Sequence, residues 1–362
     1  MPVERIAAGA RGEARPANVL VMGREAAVAP MQSAAHRAGA FAERASRWGV
    51  VLAGGDGNRL RKLTRFICGD DRPKQFCPLV ANQTLLEQTR IRAEQIIPSQ
   101  QILFPLTRSH RAFYLQEQGI RPSQRVIQPS NKGTAPPIVY SLLSIEQQDE
   151  DAIVAILPCD HHYPDERVFA AALEASFDLA ARRNGSVVLL GAPPQGPETE
   201  YGWIELGPSA DGAGGASFHV QGFVEKPSSH VARQLLERGC LWNTFVMVGH
   251  VRGFLKMVNT ALNGLVEALR NSRLWAGSEA HLDDSLYEHM QSADFSRQVL
   301  TVQPQRLIAL RIASGGWSDL GHPERVTAAL RAAGVDPWWM KEWQALRRPA
   351  AVAALLANPA VA

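Results

Sequence analysis

Cysteine is scarce in this chain: four occur in 362 residues, Cys68, Cys77, Cys159 and Cys240, and no two form a C-x-x-C pair. That scatter argues against a zinc knuckle or a disulfide framework and fits a reducing compartment such as the cytoplasm. No uninterrupted apolar stretch reaches the roughly 18 residues that a membrane-spanning helix needs. The N-terminus lacks the compact basic-then-apolar arrangement of a secretory signal, so the expectation is a soluble, unexported chain with no membrane partner. Charge of one sign is lacking as well. Lys and Arg number 38 against 35 Asp and Glu, a net of +3, which gives no broad basic field and argues against nucleic acid as a partner.

What is abundant is apolar surface: 46% of the residues are hydrophobic, enough for one large core or two smaller ones. Residues 1–46 stand apart, rich in Ala, Arg and Gly with Glu4, Glu13, Glu25 and Glu43 among the arginines, and read as a mobile or loosely helical extension. Those acids weaken the alternative of a transit peptide. From Trp48 the texture changes to strand-like runs at 49–53, 101–106, 125–128, 152–157 and 186–191. Helical patterns lie between them at 84–97, 109–118, 135–147 and 165–183, with Thr84 and Asp165 placed as N-caps. This βαβ series predicts an α/β domain with a mainly parallel sheet.

Strands at 201–206 and 218–225, joined by the Gly-rich 210–215, are expected to make a second, antiparallel layer. Helices follow at 229–238 and 251–261, then a strand at 307–312 and a helix from near Pro323. The tail from Pro337 holds Trp338, Trp339 and Trp343, which read either as packing on their own domain or as a subunit contact making a homodimer.

The strongest local signal is Leu52-Ala53-Gly54-Gly55-Asp56-Gly57-Asn58-Arg59-Leu60, directly after the first expected strand. Glycines there let the backbone approach a ligand and aim N–H groups at it, which suits phosphate oxygens and the edge of a base. Arg59 adds fixed positive charge. The spacing is neither that of a Walker loop nor that of the dinucleotide fingerprint, and taken alone such a segment is more often only a turn. Arg72-Pro73-Lys74-Gln75-Phe76 changes that balance, because a Lys held by a preceding Pro supplies a second point charge for a triphosphate.

Asp160 closes the expected strand in Leu157-Pro158-Cys159-Asp160-His161, at the C-terminal edge of a parallel sheet where ligands of open α/β folds bind. The bland alternative for Asp160, and for Asp319 in Trp317-Ser318-Asp319-Leu320-Gly321, is a local cap. Two separated carboxylates plus triphosphate oxygens would satisfy Mg²⁺. Adjacent His161 and His162 point opposite ways on an extended segment, which argues against a transition-metal site. Cys159 reads as a small buried filler, Asp70 and Asp71 as solvated charges, and Trp203 and Trp317 as packing residues.

LAGGDGNRLRKLT followed by RPKQF resembles the nucleotide-binding signature of the sugar-phosphate nucleotidyltransferases, and the PKQF form resembles their mannose-1-phosphate guanylyltransferase branch. Further segments are similar in the family's order. Gly133-Thr134-Ala135-Pro136 resembles N-T-A-P, the Asp160 segment P-x-D-H, Tyr201-Gly202-Trp203-Ile204 Y-G-Y-I, and Phe223-Val224-Glu225-Lys226-Pro227 F-V-E-K-P. Trp242-Asn243-Thr244-Phe245 resembles W-N-S-G, and the Asp319 segment resembles W-S-D-V-G. Such matches in sequence from about 48 to 325 are hard to obtain by chance.

The resemblance implies a three-layer α/β nucleotide-diphospho-sugar transferase fold, Rossmann-like and GT-A-like, with a mixed, mainly parallel central sheet. It implies a domain over 47–335, with a nucleotide half to about 192 and a sugar-side half from about 193, and a helical tail over 336–362. The implied reaction joins a hexose 1-phosphate to a nucleoside triphosphate, releasing pyrophosphate, with mannose 1-phosphate and GTP the favoured pair. The nucleophile is already an anion, so the protein need only align the reactants and neutralise charge.

By the same resemblance Leu52, Ala53, Gly54, Gly55, Gly57, Gln75, Gly133, Thr134 and Ala135 meet the nucleotide, and Gly202, Glu225, Lys226 and Asn243 meet the sugar phosphate. Arg59, Lys74, Asp160 and Lys226 are the implied catalytic residues, with Asp160 and Asp319 the Mg²⁺ ligands. Departures bear on specificity. Gly133 stands in place of Asn and weakens the GTP assignment, Lys62 replaces a Pro, and the bulky Phe245 replaces a small residue near the sugar, leaving the hexose open. A short form without β-helix repeats or an isomerase domain is expected. Two alternatives stand beside this reading: another hexose phosphate or base, and a regulatory protein that binds a nucleotide-sugar without making it. A related glycosyltransferase would show a D-x-D pair, which Asp160-His161-His162 does not supply.

Overall fold

The computed structural model describes residues 46–80, 82–212, 215–271, 275–276, 279–313 and 317–347. The expected N-terminal extension over 1–46 lies, but for Ser46, outside the described residues, as does the end of the tail from 348. In chain order β1 (Arg47–Leu52), α1 (Arg61–Cys68) and α2 (Leu85–Glu94) lead to β2 (Ile102–Thr107), and α3 (Arg111–Tyr114) to β3 (Arg125–Gln128). Next come α4 (Ala135–Glu146), β4 (Ile153–Pro158), α5 (Glu166–Arg182), β5 (Val187–Ala192), β6 (Gly202–Ser209) and β7 (Ser217–Glu225). The remainder is α6 (Ser229–Glu237), β8 (Leu241–His250), α7 (Val251–Ala261), α8 (Leu265–Asn271), β9 (Trp275–Ala276), β10 (Glu279–His281) and α9 (Asp284–His289). β11 (Leu307–Arg311), α10 (Pro323–Ala332) and α11 (Trp338–Arg347) close the described chain.

The apolar runs of β1, β2 and β4 are buried on both faces and pair in parallel, as strands covered by helices must. Alternate residues feed opposite layers. Val154 and Ile156 of β4 pack with α4, α7 and α8 through Ile138, Phe254 and Leu269, whereas Ala155 and Leu157 join Leu86, Phe177 and Leu235 of α2, α5 and α6. The helices start where local chemistry places them: the Thr84 hydroxyl accepts from the Glu87 N–H, and the Asp165 carboxylate accepts from those of Arg167 and Val168.

Two expectations are corrected. The 201–206 and 218–225 strands do not form a second layer, because among the described residues β6 and β7 lie in one eleven-stranded sheet, ordered β5-β11-β7-β6-β8-β4-β1-β2-β3-β10-β9, with β5 also paired to β8. The cause is β8, absent from the sequence reading. Its C-terminal half pairs antiparallel with β4, its N-terminal half with β6, and β5 pairs along it, so the hairpin is drawn into the same hydrogen-bonded network. The helix expected at 109–118 is only the single turn of α3, and Gly119 follows with a left-handed φ of 82°.

A third apolar cluster gathers Leu60 and Leu63 beside Val326, Leu330, Trp339 and Met340, so α11 packs against α1 and α10. Trp339 is fully buried there and Trp343 lies with its ring 5.4 Å from that of Phe66, the own-domain alternative for these two residues, while Trp338 is exposed. No helix among the described residues is long and apolar enough to cross a membrane.

Candidate active site

A cavity of about 440 Å³ opens at the C-terminal ends of β1 and β4. The glycine-rich loop after β1 forms one wall, and its shape needs glycine at two points. A Cβ on Gly54 would lie 2.3 Å from Gln128 Nε2, and Gly57 has φ 61° with Lys74 N 2.9 Å from where a Cβ would stand. The loop is pinned from behind: Gln75 Nε2 donates to the Ala53 and Gly55 carbonyls at 3.0 and 2.7 Å, and Thr107 Oγ1 donates to the Gly54 carbonyl at 2.8 Å. These carbonyls are thus occupied by side chains of the protein.

Lys74 is buried and enters the cavity beneath that loop. Its Nζ donates to the Asp319 and Leu320 carbonyls at 2.6 and 3.3 Å and lies 3.0 Å from Asp160 Oδ2. The Asp160 and Asp319 segments are stapled together by reciprocal backbone hydrogen bonds of His162 and Ser318, at 2.9 and 3.1 Å. Asp319 Oδ1 accepts from the Tyr201 hydroxyl, Arg325 Nη1 and the Gly321 N–H, at 3.0, 3.0 and 2.9 Å. Burial alone would push the Asp319 carboxyl up, but Lys74 and Arg325 beside it hold it below the usual carboxylate range. Burial keeps His161 below the usual imidazole range, and its Nδ1 accepts from Trp317 Nε1 at 3.3 Å.

The far wall carries Gly202, Glu225, Lys226, Asn243 and Phe245. A Cβ at Gly202 would meet Glu225 Oε2 at 2.7 Å, so glycine there leaves room for that carboxylate. Burial pushes the Glu225 carboxyl up, opposed by Lys226, whose Nζ is 3.8 Å from Oε1. Among the described residues, the non-glycine residues in the left-handed region are Lys226, Phe245 and Leu320, at φ 50°, 58° and 48°. Two of them line the cavity and the third adjoins Asp319, a clustering of backbone strain that belongs with ligand sites.

Residues 48–333 match the family described as nucleotidyl transferase. The chain belongs to the nucleotidyl transferase family. It is 29% identical over 281 residues to the xanthan biosynthesis protein XanB of Xanthomonas campestris pv. campestris, covering 75% of this chain and 57% of that protein. Against the Escherichia coli mannose-1-phosphate guanylyltransferase, identity is 26% over 282 residues, covering 75% and 59%. The chain thus spans little more than half the length of these curated relatives. A Thermus thermophilus structure described as a mannose-1-phosphate geranyltransferase superposes with a TM-score of 0.67 at 29% identity, covering 78% of this chain and 79% of the other. The nucleotide-diphospho-sugar transferase fold is therefore shared.

Within this nucleotidyl transferase framework, the structure brings the expected Arg59, Lys74, Asp160, Lys226 and Asp319 to one cavity, with Leu52, Gly54, Gly55, Gly57, Gln75, Gly133 and Thr134. Ala53 and Ala135 are not among the residues that line this cavity. Both are fully buried behind the lining; the Ala53 carbonyl is taken by Gln75, and the Ala135 N–H donates to the Ala293 carbonyl at 3.0 Å. Pro136 and Pro137 carry no N–H, so the start of α4 offers an anion little.

The sequence reading missed several lining residues. Asn131 donates to Asp56 Oδ2 at 3.1 Å and accepts the Gly133 N–H at 3.0 Å. Asp294 and Ser296 arrive because the 133–135 stretch is bonded to 293–295. Glu200 links Arg59 at 3.0 Å to Arg325 at 3.1 Å, with His322 Nε2 2.6 Å from the same oxygen. The Y-G-W-I motif stands directly after Glu200 and was the only local hint; the rest had none.

Among the described residues no three His, Cys, Asp or Glu side chains gather as a metal site on their own. The lining nonetheless holds Asp160, Glu200, Glu225, Asp294 and Asp319 against Arg59, Lys74 and Lys226. An all-oxygen donor set with excess negative charge fits a hard divalent cation that shares its ligands with phosphate and water.

Proposed function

We propose that the chain is a sugar-1-phosphate nucleotidyltransferase that forms a nucleotide-sugar and pyrophosphate, with mannose 1-phosphate and GTP as the leading pair. The observation that carries this reading is the convergence of Arg59, Lys74, Asp160, Lys226 and Asp319 on one cavity. The name of the Escherichia coli relative supports the choice of sugar and base, and that of the Thermus thermophilus structure the choice of sugar. A phosphate oxygen of the hexose 1-phosphate attacks the α-phosphorus, the new P–O bond forms, and the α–β anhydride bond breaks to release pyrophosphate. No proton need be removed from that nucleophile.

The protein's part is alignment and charge. Lys226, fixed by a left-handed backbone and an N–H donated to the Tyr201 carbonyl at 3.1 Å, meets the incoming phosphate. Arg59 and Lys74, which line the same cavity, take up charge as pyrophosphate leaves. Glu225 and Asn243 orient the sugar hydroxyls, and the Gly54–Gly57 turn receives the nucleotide. Asp160 and Asp319 would hold Mg²⁺. When bound, that ion supplies charge neutralisation across the two reacting phosphates. On this reading the reaction is cytoplasmic.

The test is pyrophosphate release across a matrix of nucleoside triphosphates and hexose 1-phosphates, with and without Mg²⁺, for the parent and Asp160→Ala. Turnover unaffected by Asp160→Ala removes the metal assignment. Tight binding of a nucleotide-sugar with no turnover for any pair replaces the enzyme by a binding protein, the outcome that the Phe245 ring on the sugar wall would favour.

A further inference from the structure

Cys68 and Cys77 are nine residues apart in sequence, yet their sulfurs lie 3.2 Å apart in a thiol–thiol contact. Cys68 is the last residue of α1 and the only one of the four cysteines that is not buried. Cys77 is fully buried in the third apolar cluster and caps the tight turn Lys74–Phe76, its N–H donating to the Lys74 carbonyl at 3.0 Å. Cys68 is therefore the partly exposed member of the pair, and Cys77 is tied to the turn that places Lys74 and Gln75.

We propose that Cys68 and Cys77 are a covalent modification site, a dithiol that closes to a disulfide by exchange with a low-molecular-weight disulfide and thereby displaces the Lys74 turn. The effect on turnover rests on the function proposed above. The Cys68 thiolate attacks one sulfur of the reagent, forming a mixed disulfide and expelling one thiolate. Cys77, having lost its proton to solvent, then attacks the Cys68 sulfur and expels the second. The protein loses two electrons and two protons, and the reagent is reduced to two thiols.

The pair is built for that order. The contact with Cys77 and the nearby Arg72 guanidinium lower the Cys68 thiol below the usual range despite burial. The Cys77 thiol is pushed up, first by the contact with Cys68 and then by burial, and the first of these causes ends once Cys68 is in a mixed disulfide. Cys159 and Cys240 are buried thiols raised by desolvation, which makes them poor competitors. Closing the sulfurs to about 2.05 Å brings them about 1 Å closer together. The Cys77 N–H bond to the Lys74 carbonyl is the route by which that movement reaches the turn, whose Lys74 Nζ is held by three oxygens at 2.6 to 3.3 Å.

The experiment exposes the whole reduced protein to oxidised glutathione, removes the reagent, and maps thiols by differential alkylation and mass spectrometry. Hydrogen exchange over 72–79 and pyrophosphate release are read on the same samples. The expected result is a Cys68–Cys77 cross-link, faster exchange over that segment and turnover lower by about tenfold or more, all reversed by dithiothreitol. Cys68→Ser forms no cross-link and keeps its turnover under the oxidant; Cys77→Ala keeps only a glutathione adduct on Cys68. A parent protein that stops at that adduct, or a cross-linked one with unchanged exchange, overturns the proposal. Equal loss of turnover in Cys68→Ser does so too. Should the reduced protein turn over no substrate pair, the function proposed above fails, while the mass and exchange readouts still decide the dithiol.

Discussion

Lys74 Nζ donates to the backbone carbonyl of Asp319 at 2.6 Å across 245 residues of sequence, and the same nitrogen lies 3.0 Å from the Asp160 carboxylate. One cation thus joins both carboxylate-bearing segments to the glycine-rich loop, since its neighbour Gln75 holds that loop's carbonyls.

Lys74→Ala is accordingly expected to lower kcat by about 10²- to 10³-fold. It leaves Asp160 without its cation and lowers the melting temperature as well. Lys74→Arg keeps the charge but cannot present a compact ammonium to two carbonyls and a carboxylate, so it restores little. Pyrophosphate release and thermal melts on the three proteins measure this.

Gly133 tolerates no side chain: its φ is 87°, and a Cβ would stand 2.3 Å from the Ala293 carbonyl oxygen. Gly133→Asn, which restores the residue the family resemblance leads one to expect, should destabilise the fold by about 2 kcal/mol or more in chemical denaturation. It should also separate the Asp294 segment from the cavity. Asn131, whose amide already spans Asp56 and the Gly133 N–H, makes the missing side chain less necessary.

Phe245 sits at φ 58° with its N–H donated to Asn243 Oδ1 at 3.2 Å. Phe245→Gly relieves roughly 1 kcal/mol of backbone strain and forfeits a comparable amount of apolar burial, so stability should change little. Discrimination among hexose 1-phosphates, measured as kcat/KM ratios, should fall as the wall opens.

Glu117 tests a group outside the cavity lining. Burial pushes its carboxyl up to about 7, opposed by the Thr84 hydroxyl that donates to it at 2.9 Å. A raised acid favours the fold while protonated, so its contribution is complete below the ordinary value of 4.5 and is lost as pH rises to about 7. Glu117→Gln should therefore be the more stable protein near pH 8 by about 2 kcal/mol and gain progressively less as pH falls toward about 5, in melts of both proteins.

Chelation addresses the carboxylate pair directly. Removing divalent cations from the whole protein should abolish pyrophosphate release, and added Mg²⁺ should restore it. Asp160→Asn and Asp319→Asn should each demand about tenfold or more Mg²⁺ for half-maximal rate. Recovery without any divalent ion would contradict the assignment.

What the sequence alone determined is local. Thr84 and Asp165 cap their helices with bonds that reach no more than three residues along the chain, and the glycine-rich loop follows β1 because its shape needs glycines in place. Lys74 and Asp160 were legible for the same reason, since each sits beside a proline or a strand end that marks it, whereas Lys226 was legible only through the family resemblance. Tertiary structure decided the rest. The strand β8 exists as a central element only through partners at 153–156, 188–192 and 203–204, so no short window contains its reason for forming. Ala53 and Ala135 turn inward, Asp294 and Glu200 turn toward the cavity, and two scattered cysteines become neighbours, because these depend on backbone hydrogen bonds and packing between segments that the chain keeps far apart.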